Sequence, residues 1–291
     1  MEKKISSTLA RTEDGTVQIT FTIPFATINK AQEESLKEYA ATIEVPGFRK
    51  GKAPLEEVKK RVPAASLIEH SLRHILPKAL ADAINENKIR PAIYPKFELI
   101  KTAAGEPWEV RAVTCELPAV NLGDYKKAIT GIARAKDIWT PGKGSPQEKK
   151  EPTKEEKEQE IIRTLLATIK VEVPRLLINE EVNARLSNLL ERIEKLGLTL
   201  DGYLASLGKT PESLRAEYEI QAKNTLSLEL ILSTIAQEEK IGVKEEEIDA
   251  AIKAASTDPK VAERLNTPEQ RRVIRSVLAR RAALDSLTLL L

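Results

Sequence analysis

Between Val45 and Pro54 the chain reads "VPGFRKGKAP", which sets two glycines, two prolines, one phenylalanine and three cations within ten residues. Pro46 and Pro54 restrict the backbone, so ordering the segment on a partner costs less entropy. Gly47 and Gly51 admit conformations closed to other residues, with Phe48, Arg49 and Lys50 held between them. A phenylalanine there could enter a partner's pocket, worth roughly 1.5–3 kcal/mol on burial. Arg49, Lys50 and Lys52 are suited to phosphates or acidic side chains. Composition leaves two readings open, a docking loop and an ordinary solvated turn.

Other residues capable of chemistry are few. His70 and His74 are four apart, a helical spacing that can clamp a metal, but Ser71 stands where a zinc-protease motif would carry its glutamate. Both fall opposite the Ile68/Leu72/Ile75/Leu76 stripe, so we expect solvent-facing histidines and no metal site. Cys115 alternates with Val113 and Leu117 in a strand pattern and is expected to be a small buried residue. No glycine loop of the P-loop or dinucleotide type is present, and no acid–base pair stands out. Nothing supports an enzyme or a cofactor.

Bulk properties narrow the classes further. The chain has 291 residues, 31% of them charged, yet its net charge is only +2, so any nucleic-acid contact must be local. Aromatics make up 4% and no Phe or Trp follows Trp139, which disfavours a base-stacking surface in the second half. A single cysteine, no secretory signal and no membrane-length apolar run lead us to expect a cytoplasmic protein.

The elements that must position these residues differ between the two halves. "TVQITFTI", residues 16–23, alternates strictly and predicts a half-buried strand, and Asp14-Gly15 before it predicts a hairpin with "ISSTLAR". Leu36, Tyr39, Ala40 and Ile43 predict a helix ending before Pro46. A short helix over Leu55 to Arg61 follows, then a longer one from Pro63 to about Asn87, kinked at Pro77. "YPKFELIK" and "PWEVRAVTCEL" predict a second hairpin. Thr140 to Glu160 lacks any large apolar residue and reads as linker, turning helical near its end. Beyond it the pattern is helical throughout. Gly197 and Gly208 are expected at helix ends, with Thr210 and Thr267 as N-caps before proline and Gln270 at the capping-box position.

With these elements in place, Gly47-Phe48-Arg49-x-Gly51-x-x-Pro54 resembles the ribosome-docking motif of the trigger factor family, with all five defining positions present. "VEVPRLLINEEV", residues 171–182, "GLTLDGYLASLGKTPESLR" and "ILSTIAQEEKIGVKEEEI" resemble that family's helical chaperone domain. The resemblance implies an α+β ribosome-binding domain over residues 1–120, an extended linker over 121–152, and an all-α substrate-binding domain over 153–291, in an elongated two-domain architecture. The family's peptidyl-prolyl isomerase domain has no room between Leu122 and Lys154, so its activity is not expected. The resemblance further implies docking through Gly47, Phe48, Arg49, Lys50, Gly51, Lys52 and Pro54 against ribosomal RNA and protein near the large-subunit exit tunnel. Nascent or unfolded chains would be the clients, with no nucleotide cycle, and a homodimer off the ribosome stays open. A ribosome-independent holdase like the envelope chaperones is the alternative; a plain RNA-binding protein and a prolyl isomerase fit less well.

Overall fold

The computed structural model describes residues 5–49, 51–103, 105–137, 153–255 and 259–290. It divides into two compact units, Met1–Leu117 with Pro174–Leu177, and Pro118–Val173 with Ile178–Leu291. The first is α+β and the second all-α.

In the first unit the strands β1 (Ser6–Arg11), β2 (Thr16–Ile23), β3 (Lys96–Lys101) and β4 (Trp108–Cys115) form one antiparallel sheet in the order β1-β2-β4-β3. The alternation in β2 is realised as written: Val17, Ile19, Phe21 and Ile23 are buried, while Thr16, Gln18, Thr20 and Thr22 keep partial access to solvent. In β4 the core face is carried by Trp108, Val110 and Ala112. Cys115 lies off that face by register and is nonetheless fully buried, at the strand's end opposite Thr16. Against the sheet pack α1 (Phe25–Thr42) and α3 (Ala64–Asn87), whose Ile28, Leu72, Ile75 and Leu76 complete the core. The α3 helix continues through Pro77 and stops at Lys88, which is left-handed.

A second, smaller core sits at the other end of α1. Leu36, Ala40 and Val45 meet Val58 of α2 (Leu55–Arg61), Val62, and Leu67 of α3. It lies directly beneath the loop from residue 43 to 54.

The second unit contains α4 (Tyr125–Asp137), α5 (Lys154–Thr168), all but the first three residues of α6 (Arg175–Lys195), α7 (Leu200–Leu207), α8 (Pro211–Glu238), α9 (Glu245–Ala255), α10 (Pro259–Leu265) and α11 (Pro268–Thr288). Caps account for the boundaries. Reciprocal capping boxes form at Thr153 with Glu156 and at Thr210 with Ser213, whereas at Thr267 the hydroxyl accepts from the Gln270 backbone N–H. Gly208 ends α7 in the left-handed conformation.

One boundary departs from the sequence reading. The stretch 121–152, expected to be extended linker, opens with α4, and Leu122, Tyr125 and Ile129 are buried in the core of the second unit with Ile161, Leu165, Ile231, Ile235 and Leu287. Leu122 precedes the helix, Tyr125 and Ile129 stand four apart on one face of α4, and Tyr125 also donates to Glu239 Oε1 at 2.9 Å. The charged residues around that stripe masked it. Residues 138–152, the rest of that stretch, lie outside the described residues.

Candidate docking loop

The loop is built from two successive turns. The Phe48 N–H donates to the Val45 carbonyl at 3.0 Å, closing a turn with Pro46 second and Gly47 third at φ 84°. Proline at the second position with positive φ at the third defines a type II turn. The next turn is closed by the Lys52 N–H on the Arg49 carbonyl at 2.9 Å, with Gly51 third at φ 82°. A Cβ built on either glycine would meet no heavy atom within 4 Å. Glycine is needed at both places for its backbone conformation, and packing does not require it.

The loop is also tied down. The Gly51 N–H donates to the Ala40 carbonyl at 3.0 Å, satisfying an acceptor that the last turn of α1 leaves unpaired. Val45 is buried in the smaller core, and Pro54 leads directly into α2. A side chain at the tip is thus held on a fixed footing while remaining in solvent. Phe48 is 44% exposed, which leaves much of a large apolar side chain available to a partner. Arg49 and Lys52 are exposed and have no ion-pair partner among the described residues. Lys50 lies outside the described residues.

Sequence reasoning overlooked part of the charge. The last turn of α2 carries Lys59, Lys60 and Arg61, all exposed and close in sequence to the loop. The signal was the run "VKKR" at a helix C-terminus, where cations also complement the helix dipole. Lys60 is partly neutralised by Glu57 at 2.7 Å, whose hydrogen bond holds the ammonium above its ordinary range.

The histidines match expectation only in part. His74 is exposed as expected, whereas His70 is half-buried, and their Nε2 atoms stand 3.5 and 3.4 Å from Glu38 oxygens of α1. Tyr39 lies over His70 with ring centroids 5.0 Å apart. The wheel of α3 alone could not reveal that α1 covers its second face. Cys115 is inert by contrast; burial, with a smaller contribution from the Asp14 charge, pushes its thiol up to about 11.

In the second unit, apolar side chains remain in solvent on several elements. Leu190 of α6, Leu196 and Leu198 of the following turn, Leu207 of α7 and Ile220 of α8 are exposed. Val273 and Val277, four apart on α11, are exposed as well.

Comparison with known proteins places this architecture. A family model described as bacterial trigger factor protein matches residues 5–136, and one described as bacterial trigger factor protein C-terminus matches residues 143–288. The chain belongs to the trigger factor family. The two matched stretches are separated only by residues 137–142.

Among curated relatives, the trigger factor of Lactococcus lactis subsp. lactis (strain IL1403) is 33% identical over 128 residues, covering 44% of this chain and 30% of that protein. The trigger factor of Limosilactobacillus reuteri (strain DSM 20016) is 37% identical over 108 residues, 37% of this chain and 25% of that one. That of Clostridium botulinum (strain Hall) is 34% identical over 114 residues, 39% and 26%. The matched region therefore spans less than a third of these relatives' own length. A solved structure, from work on promiscuous substrate recognition in folding and assembly activities of the trigger factor chaperone, aligns with a TM-score of 0.64 and 13% identity, covering 97% of this chain and 99% of that one. At that identity the likeness is one of fold. No described helix is long and apolar enough to cross a membrane.

Proposed function

We propose that this chain is a ribosome-docked, ATP-independent chaperone of the cytoplasm that shields nascent polypeptides at the tunnel exit. The observation that carries the reading is Phe48, exposed at the tip of a doubly turned, anchored loop and followed by exposed Arg49, which has no ion-pair partner among the described residues. Phe48 supplies an apolar anchor to a pocket, while Arg49, Lys52 and the α2 cations meet RNA phosphates or acidic side chains. Lys50 joins them by its place in the motif. We assign docking to the first unit and client contact to the second, counting α4 with the second.

Clients would be held on the exposed Leu, Ile and Val side chains of α6, α7, α8 and α11. Each contributes a little burial, and none sits in an enclosed pocket, so binding would be weak, broad and reversible. Scarcity of Met (one residue) and Phe (four residues) leaves this surface less adaptable than a methionine-rich one. We infer no isomerase activity, since the few residues between the two family-matched stretches cannot supply an aromatic-lined pocket.

The test is suppression of aggregation of a chemically unfolded protein, with and without added ribosomes. The reading expects suppression in both conditions, and crosslinking to nascent chains that depends on the loop. Suppression with no loop-dependent crosslinking would instead favour the ribosome-independent holdase, and no suppression at all would overturn both.

A further inference from the structure

The histidine pair that the docking reading leaves unused lies in a cluster of metal-ligating atoms. Glu38 of α1 and His70 and His74 of α3 bring one ligand atom each within 4.8 Å of one another. His70 Nε2 stands 3.4 Å from Glu38 Oε2, and His74 Nε2 stands 3.5 Å from Glu38 Oε1.

A proton count along the neighbouring serines fixes the tautomer of His70. Ser71 Oγ donates its one proton to the Leu67 carbonyl at 2.7 Å. Ser35 Oγ, 3.3 Å from Ser71 Oγ, must therefore be the donor in that pair. With its proton used, Ser35 Oγ can only accept from His70 Nδ1, also 3.3 Å away. Both serines are fully buried, so water does not substitute in this chain. His70 is thus protonated on Nδ1 and turns Nε2 toward Glu38. That leaves Nε2 as the ring nitrogen available to Glu38, as a donor to the carboxylate or as a lone pair for a cation bound beside it.

We propose that Glu38, His70 and His74 form a binding site for a zinc-class divalent cation. Three donors converge, more than a proton between one imidazole and one carboxylate requires. Tetrahedral zinc with ligands at about 2.0–2.2 Å has ligand–ligand edges of about 3.3–3.5 Å; the histidine–glutamate separations of 3.4 and 3.5 Å, each to a different Glu38 oxygen, are of that size, and one ligand atom from each of the three residues falls within 4.8 Å of the others. Histidines at this helical spacing share one face. The Ser35 hydrogen bond to the far ring nitrogen is the kind of support that orients metal-ligating imidazoles. Mixed imidazole and carboxylate donors favour zinc, copper, nickel or cobalt over magnesium or calcium, which take oxygen ligands. Glu38, 55% exposed, leaves the site open to solvent, so water completes the coordination.

The bound ion would brace α1 against α3 beside the smaller core. Ala40, two residues beyond Glu38, is the carbonyl that anchors Gly51 of the loop. Binding therefore stabilises the first unit in proportion to free metal. None of this depends on the ribosome reading.

The experiment is calorimetric titration of the tag-free full chain with zinc sulfate, magnesium chloride serving as control, together with thermal melts. The proposal expects one zinc per chain, a raised melting temperature and no competition from magnesium. His74→Ala should abolish binding. Glu38→Gln, an exposed change that preserves the fold, should weaken it by at least about tenfold, and Ser35→Ala, which keeps all three ligands, by about 10–100-fold. Circular dichroism verifies that each variant is folded. Absence of zinc binding by the native chain, equal competition by magnesium, or unchanged affinity in both folded Glu38→Gln and folded His74→Ala would overturn it.

Discussion

Phe48 and Leu196 are both apolar and exposed, yet the chain presents them in different ways. Phe48 stands alone at the tip of two glycine turns, on a loop pinned to α1 and floored by Val45, Val58 and Leu67. Leu196 is one of several exposed aliphatic residues spread over the helices and turns of the second unit, with Leu190, Leu198, Leu207 and Ile220. The first arrangement concentrates recognition in one oriented side chain with cations beside it. The second spreads it over interchangeable contacts, none of which fixes a register. One substitution should therefore disable the first, while the second should fail only gradually.

The largest expected effect tests the partition itself. Ile129→Ala, a substitution at a fully buried residue of α4, should destabilise the second unit by about 2–5 kcal/mol. Chemical denaturation followed by circular dichroism would reveal this; a shift near zero would return α4 to the status of a linker and remove the revised boundary. Next is Phe48→Ala, expected to weaken ribosome affinity by about 1.5–3 kcal/mol while leaving the melting temperature in place, since Phe48 contributes little to its own core. Gly47→Ala should follow at about 1–2 kcal/mol, paid as backbone strain at positive φ. Its effect is expected on docking more than on aggregation suppression. Smallest is a single change such as Leu196→Ser, which should alter client affinity by less than about 1 kcal/mol. Changing Leu190, Leu196, Leu198, Leu207 and Ile220 together should add up to a clear loss. A single substitution that abolished client binding would show that the second unit also has a dominant anchor.

Titration separates the interior of the first unit from its surface. The Cys115 thiol, ordinarily near 9.0, rises to about 11 in the fold because burial opposes its charge. A raised value means the fold is favoured below 9.0 and loses that contribution as pH climbs through 11. Native Cys115 should accordingly resist alkylation at neutral pH and react only on unfolding. Asp14 behaves oppositely. Its hydrogen bond from Thr12, against a lesser cost of burial and with help from Thr16, lowers it below 3.8. That contribution is complete above the unfolded value and disappears as pH falls through the folded one, so the β1–β2 turn should loosen in acid.

How much could be read from the sequence follows the range of the forces involved. The β2 alternation, the Asp14-Gly15 turn, the Pro63 start of α3 and the Thr210 cap are local, and each is found where its residues stand. The loop glycines were legible for the same reason, since positive φ is a property of one residue. What escaped depends on a second element. Glu38 approaches the histidines only because α1 packs on α3, and α4 was hidden because Tyr125 and Ile129, its buried residues among those described, are outnumbered by polar ones. The basic last turn of α2 was visible in the sequence as the run Lys59, Lys60 and Arg61.

The most direct test of the account is co-sedimentation with ribosomes across a salt series, comparing the native chain with Phe48→Ala, Arg49→Ala and Lys50→Ala combined. The account predicts salt-sensitive binding by the native chain and loss of binding by the folded triple variant. Equal binding by the two chains would contradict it.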